Sequence, residues 1–120
     1  MAGRRILIVD DERDLVETCV RLLVRRNYVC LQAYTGRHGI ALIDQEQPDL
    51  VLTDLYLPDV DGLSVLRHAR EHAPPIPGIL MTAYTSSETI TRAYEAGAML
   101  CLSKPFSNVA LLDTVSRALH

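Results

Sequence analysis

The chain lacks what several specialised functions demand. No uninterrupted apolar stretch approaches the roughly 20 residues of a membrane-spanning helix, which argues against an integral membrane protein. The opening Met1-Ala2-Gly3-Arg4-Arg5 is followed by only four apolar residues before Asp10, too few for the core of a secretory leader. Basic residues are outnumbered, 12 against 15 acidic, giving a net charge of −3 and a pI near 5.7. The longest basic runs are the pairs Arg4-Arg5 and Arg25-Arg26, so the basic stripe of a nucleic-acid-binding domain is missing. Cysteine occurs three times, at Cys19, Cys30 and Cys101, an odd number without metal-ligand spacing. Their apolar neighbours predict reduced, buried core thiols. These absences predict a cytoplasmic chain that engages neither membrane nor nucleic acid directly.

What is present suits one globular domain over residues 1–120, with 48% hydrophobic and 22% charged residues. Four apolar runs read as buried strands: Ile6-Leu7-Ile8-Val9, Leu50-Val51-Leu52, Ile79-Leu80-Met81 and Met99-Leu100-Cys101-Leu102. They are continuous rather than alternating, as in a parallel sheet covered on both faces. Tyr28-Val29-Cys30-Leu31 is more mixed and reads as an edge strand. Helical spacing follows between the runs, at Leu15/Cys19/Leu22/Leu23, Leu63/Leu66/Arg70, Ile90/Ala93/Tyr94 and Val109/Leu112/Val115/Leu119. Thr35 is a natural N-cap for a helix from Gly36 to Gln45, and Gly97 a natural C-cap. Five β-α repeats with short connections predict a doubly wound α/β domain.

The residue after each apolar run carries the information. Asp10, Asp11 and Glu12 follow the first strand, Asp54 the third, Thr82 the fourth, and Lys104, the chain's single lysine, the fifth. In an open α/β sheet ligands bind outside the carboxyl ends of the strands, where strand order reverses. Each residue also has a local explanation: Asp10 or Asp11 as helix cap, Asp54 as the start of the Leu57-Pro58-Asp59 turn, Thr82 leading to Thr85-Ser86-Ser87-Glu88, Lys104 as surface lysine. Four coincident strand ends weaken those explanations together. Two carboxylates about 5 Å apart repel by roughly 3 kcal/mol at an effective dielectric of about 20. A cluster of Asp10, Asp11 and Asp54 therefore requires a cation or raised pKa values. Oxygen ligands of this kind suit Mg²⁺, or Mn²⁺, with Thr82 and Lys104 as partners for an anion. Such a set fits phosphoryl transfer to a carboxylate.

The stretches Ile8-Val9-Asp10-Asp11-Glu12, Asp54-Leu55-Tyr56-Leu57-Pro58-Asp59-Val60-Asp61-Gly62, Met81-Thr82-Ala83 and Lys104-Pro105-Phe106 resemble the receiver domain of bacterial two-component response regulators, over essentially the whole chain. The resemblance implies a (βα)5 fold with strand order 2-1-3-4-5 and a signalling switch rather than a turnover enzyme. It implies that Asp54 accepts a phosphoryl group from a sensor histidine kinase or phosphotransfer protein. Asp11, Asp54 and the backbone carbonyl of Tyr56 would ligate Mg²⁺ directly, and Asp10 through water. Thr82 and Lys104 would hold the phosphoryl oxygens, small Ala83 would leave the donor a path, and Pro105 would aim Lys104. Phosphorylation would move Thr82 and the face formed by helix 4, strand 5 and helix 5, through which a homodimer can form.

Two departures from the family pattern stand out. Cys101 occupies the position three before the lysine, where an aromatic residue is usual, with Tyr84 as a candidate substitute. Tyr56 and Tyr84, two after Asp54 and Thr82, predict slow autodephosphorylation by crowding the attacking water. Three rival readings differ in chemistry. A haloacid-dehalogenase-like phosphatase would need a second Asp where Tyr56 stands, and a flavodoxin-like FMN carrier would not place Asp10-Asp11-Glu12 beside a phosphate. A pseudo-receiver that binds partners without phosphorylation is the third. The last helical pattern runs to Leu119-His120, as expected of a stand-alone receiver or of one cut from a longer regulator.

Overall fold

A computed structural model describes residues 3–120; Met1 and Ala2 of the opening segment lie outside the described residues. Strands β1 (Arg5–Val9), β2 (Val29–Ala33), β3 (Leu50–Asp54), β4 (Gly78–Thr82) and β5 (Ala98–Ser103) alternate with helices α1 (Arg13–Val24), α2 (Gly36–Glu46), α3 (Gly62–Glu71), α4 (Ser87–Ala96) and α5 (Asn108–Leu119). All strand pairs are parallel and the order is β2-β1-β3-β4-β5. The predicted doubly wound fold is present, and among the described residues no helix is long and apolar enough to cross a membrane.

Continuous apolar strands work because successive side chains leave the sheet on opposite faces and both faces are covered. Ile6, Ile8, Leu50, Leu52, Ile79 and Met81 pack on one side against Val16, Cys19 and Leu23 of α1 and Leu111, Val115 and Leu119 of α5. Leu7, Val9 and Val51 pack on the other against Ile43 of α2 and Val65 and Ala69 of α3. Leu80 meets Leu63, Leu66, Ala93 and Ala96 from α3 and α4. Full burial of each Leu or Ile contributes about 2 kcal/mol.

Helix starts follow local chemistry. Thr35, Asp61, Ser86 and Ser107 each accept the backbone N–H three residues on, capping α2, α3, α4 and α5. Gly97 ends α4 at φ 113°, a left-handed angle that favours glycine.

The helix faces differ in detail from the sequence expectation. Val109 is 76% exposed, and α5 turns Leu111 and Ala118 inward beside Val115 and Leu119. Tyr94 of α4 is likewise exposed, while Ala93 and Ala96 face the core. β5 forms the second edge of the sheet, so its continuous apolar run includes exposed Met99. All three cysteines are free, but only Cys19 is fully buried, Cys30 and Cys101 being half-buried near the sheet edges. Burial pushes the Cys19 and Cys30 thiols up to about 11, which keeps them protonated at neutral pH.

Candidate functional site

Strand register assembles the site. Val9 pairs with Thr53, Asp54 with Met81, and Thr82 with Ser103. Asp10, Asp54, Thr82 and Lys104 therefore all fall at the carboxyl edge of adjacent strands β1, β3, β4 and β5. The edge lies where the chain reverses its winding direction, between β1 and β3.

Lys104 is the centre of the cluster. Its Nζ donates to Asp10 Oδ2 at 2.7 Å and to Glu12 Oε1 at 3.0 Å, and lies 3.4 Å from Asp54 Oδ2. Its side chain is 12% exposed, that of Asp54 14%, and Asp10 is fully buried. Its backbone N–H donates to the Thr82 carbonyl at 2.9 Å, so β4 fixes where the ammonium begins. The Lys104–Pro105 peptide bond is cis.

The charges do not balance. Asp10, Glu12 and Asp54 bring ligand oxygens within 4.8 Å of one another, and three carboxylates against one ammonium leave two negative charges in excess. Asp10, Asp54 and Lys104 all hold their protons more tightly than usual. Burial raises the Asp10 carboxyl, against the lowering contributed by Lys104. Burial and then the Asp10 charge raise Asp54. Burial alone would lower Lys104, but its hydrogen bonds to Asp10 and Glu12 outweigh that and raise it. Crowded oxygen donors carrying surplus negative charge are the donor set that suits a hard divalent cation.

Glu12 was not among the candidates drawn from the sequence. It is the N-cap residue of α1, yet it makes no capping hydrogen bond because its carboxylate turns to Lys104. The Asp10 carboxylate accepts the Glu12 N–H at 2.9 Å, a local turn that aims Asp10 inward. Asp11, the next residue, is exposed and outside the three-carboxylate group. An acidic triplet before a helix was visible, but which member turns inward depends on backbone angles that no spacing encodes.

Thr82 is buried, and its hydroxyl accepts the Tyr84 N–H at 3.0 Å. Tyr84 and Tyr56 meet edge to face, ring centroids 4.8 Å apart, joining the β3–α3 and β4–α4 loops. Both rings remain more than half exposed. Ala83 is exposed and, with Glu12, Leu15, Lys104, Pro105 and Phe106, lines a cavity of about 320 Å³ beside the cluster. Cys101 is half-buried next to the Tyr94 phenol, and burial raises its thiol.

This strand order, with an ammonium held among carboxylates at the switch point, defines a signalling domain of the two-component class. The chain belongs to the response regulator receiver domain family, whose model matches residues 6–116. Members of that family act as signalling switches that take phosphoryl groups from histidine kinases or phosphotransfer proteins. The chain is 32% identical over 119 residues to sporulation initiation phosphotransferase F of Bacillus subtilis, covering 99% of this chain and 96% of that protein. It is 37% identical to regulatory protein AtoC of Escherichia coli and 32% identical to the DNA-binding transcriptional regulator NtrC of Proteus hauseri. Those matches cover 99% of this chain but only 26% and 25% of the two proteins, so the chain spans about a quarter of their length. Its fold superposes on a CheY-like receiver domain protein of Methanospirillum hungatei with a TM-score of 0.92, at 32% identity, over 98% of this chain and 94% of that one.

Proposed function

We propose that this domain is a cytoplasmic, phosphorylation-controlled switch with Asp54 as acceptor. An Asp54 oxygen attacks the phosphorus of a donor phosphohistidine, the P–N bond breaks, and the imidazole leaves with a proton. The product is an acyl phosphate on Asp54. The observation that supports this reading is the Lys104 ammonium between Asp10 and Asp54 at the end of β5. From there it can follow a phosphoryl oxygen, with the Thr82 hydroxyl as second donor.

Beside the surplus charge of the cluster, Asp54, the Tyr56 carbonyl and the exposed Asp11 would hold Mg²⁺ or Mn²⁺ directly, and Asp10 through water. When bound, the cation would neutralise the carboxylates and the incoming phosphoryl oxygens. Glu12 adds a further carboxylate that keeps Lys104 in place before the donor arrives. Signal output would pass through α4, β5 and α5, where exposed Tyr94 and Met99 offer a surface for a partner or a second copy.

Incubation with acetyl phosphate and Mg²⁺ should add one phosphoryl group to the intact mass, and Asp54→Asn or EDTA should abolish it. A folded protein that takes up no phosphoryl group would instead be a pseudo-receiver. Because Tyr56 and Tyr84, two residues beyond Asp54 and Thr82, pair edge to face where the loops leave the strand ends, the phosphoryl group should persist for minutes or longer. Tyr84→Ala should shorten that lifetime; decay of the wild type within seconds would refute the crowding argument.

A further inference from the structure

The β3–α3 loop runs from Leu55 to Asp61, and its neck is closed by the Gly62 N–H donating to the Leu55 carbonyl at 2.7 Å. Its tip is fastened elsewhere. Asp59 Oδ1 accepts the N–H of Gly36 at 2.8 Å and that of Val60 at 2.8 Å, while Oδ2 accepts the N–H of Arg37 at 3.0 Å. The Arg37 guanidinium approaches the same oxygen at 3.8 Å.

Gly36 and Arg37 open α2, so their N–H groups have no partner within the helix. Thr35 takes the third free N–H, that of His38, at 3.1 Å. A carboxylate from a loop 23 residues away thus completes a helix start, with its charge at the positive end of the helix. The fit is close. A Cβ on Gly36 would lie 2.3 Å from Val60 Cγ2 and 3.1 Å from the Val60 carbonyl oxygen. Leu57, between neck and tip, packs into the cluster that includes Ile40 and Ile43 of α2.

We infer that Asp59 is a positioning residue for cation binding: by tying the loop tip to the start of α2, it sets the direction of the Tyr56 carbonyl. Tyr56 lies between the two fastenings, and with the tip released its carbonyl keeps the neck, the Tyr84 ring and the packing of Leu57 but loses the hydrogen-bonded anchor beyond it. This inference rests on the receiver reading, in which that carbonyl is a metal ligand. Asp59 touches neither cation nor phosphoryl group, so its removal acts on affinity rather than on the rate of the loaded site.

The test is a Mg²⁺ titration followed by tyrosine fluorescence, which five tyrosines and no tryptophan make readable. Asp59→Ala should bind Mg²⁺ about tenfold more weakly, the lower end of what loss of a supporting group costs a metal site. Its phosphorylation rate at saturating Mg²⁺ should match the wild type. Asp59→Asn, which keeps one acceptor oxygen, should fall between. Thr35→Ala weakens the same helix start without touching the loop, and should bind Mg²⁺ as the wild type does. Wild-type affinity in Asp59→Ala, or an equal loss in Thr35→Ala, would overturn the inference. Failure of the wild type itself to bind Mg²⁺ would sink the proposed cation-dependent acceptor function, and this inference with it.

Discussion

Replacing Lys104 with methionine should lower the melting temperature by about 10 °C at neutral pH, corresponding to a loss of about 3 kcal/mol. Asp10 is fully buried and Lys104 is the one cation within ion-pair distance of it among the described residues. Methionine keeps the length and apolar body of the side chain but leaves Asp10 and Asp54 facing each other without an ammonium. The loss should depend on pH in a definite direction. Both carboxyls are already raised in the folded state, and removing the cation raises them further. A carboxyl raised by folding favours the folded state below its unfolded pKa, and that advantage is lost as pH rises through the folded value. The gap between variant and wild type should therefore be widest at neutral pH and close as the solution is acidified. Mg²⁺ should close it too, and should bind the variant more tightly, since no ammonium competes for the carboxylates. Thermal melts across pH, with and without Mg²⁺, read all of this. Asp10→Asn combined with Lys104→Met should recover much of the stability. Phosphorylation by acetyl phosphate should nonetheless slow by about 100-fold, the cost of one missing donor to developing charge. A Lys104→Met protein as stable as the wild type would show that the ion pair contributes nothing net.

The residues behind that loss are legible in the sequence, and the reason is topological. A parallel sheet aligns strand ends, so Asp10, Asp54, Thr82 and Lys104 could be placed together once four apolar runs were recognised as strands. Contacts that depend on local dihedral angles were not legible in the same way. Glu12 reaches Lys104 only because the Asp10 carboxylate turns the chain between β1 and α1. The Asp59 carboxylate meets α2 only because the β3–α3 loop folds back across it. The tyrosine pair was visible as two crowding side chains, but its edge-to-face contact was not. Helix faces shifted for a related reason: α5 carries apolar residues around much of its circumference, so Val109 fitted the spacing yet faces solvent.

Gly62→Ala should be as damaging as any loss of charge, through geometry alone. Gly62 does not have a positive φ; what demands glycine is close approach. An added Cβ would stand 1.9 Å from the Asp54 carbonyl oxygen, 2.8 Å from its carbonyl carbon and 3.1 Å from Leu55 Cα. Every one of these is backbone, so no side-chain rotation can relieve the clash. The loop neck must open by about 1 Å, which forfeits the Gly62 N–H bond to Leu55 and costs about 3 kcal/mol in all. Gly39→Ala offers the contrast. Its Cβ would meet Val9 Cγ2 at 2.8 Å and Cγ1 at 3.1 Å, a shallower overlap than 1.9 Å and one that involves no backbone atom. The melting temperature should thus fall by about 10 °C for Gly62→Ala and by clearly less for Gly39→Ala. Function should separate the two further. Opening the neck displaces the peptide that carries Asp54, whose Oδ1 is held by the Leu55 N–H at 2.8 Å. At a temperature where both variants are folded, Gly62→Ala should accept phosphoryl groups slowly while Gly39→Ala behaves as the wild type. Equal phosphorylation rates would mean that the strand end, and not the loop neck, fixes the acceptor carboxylate.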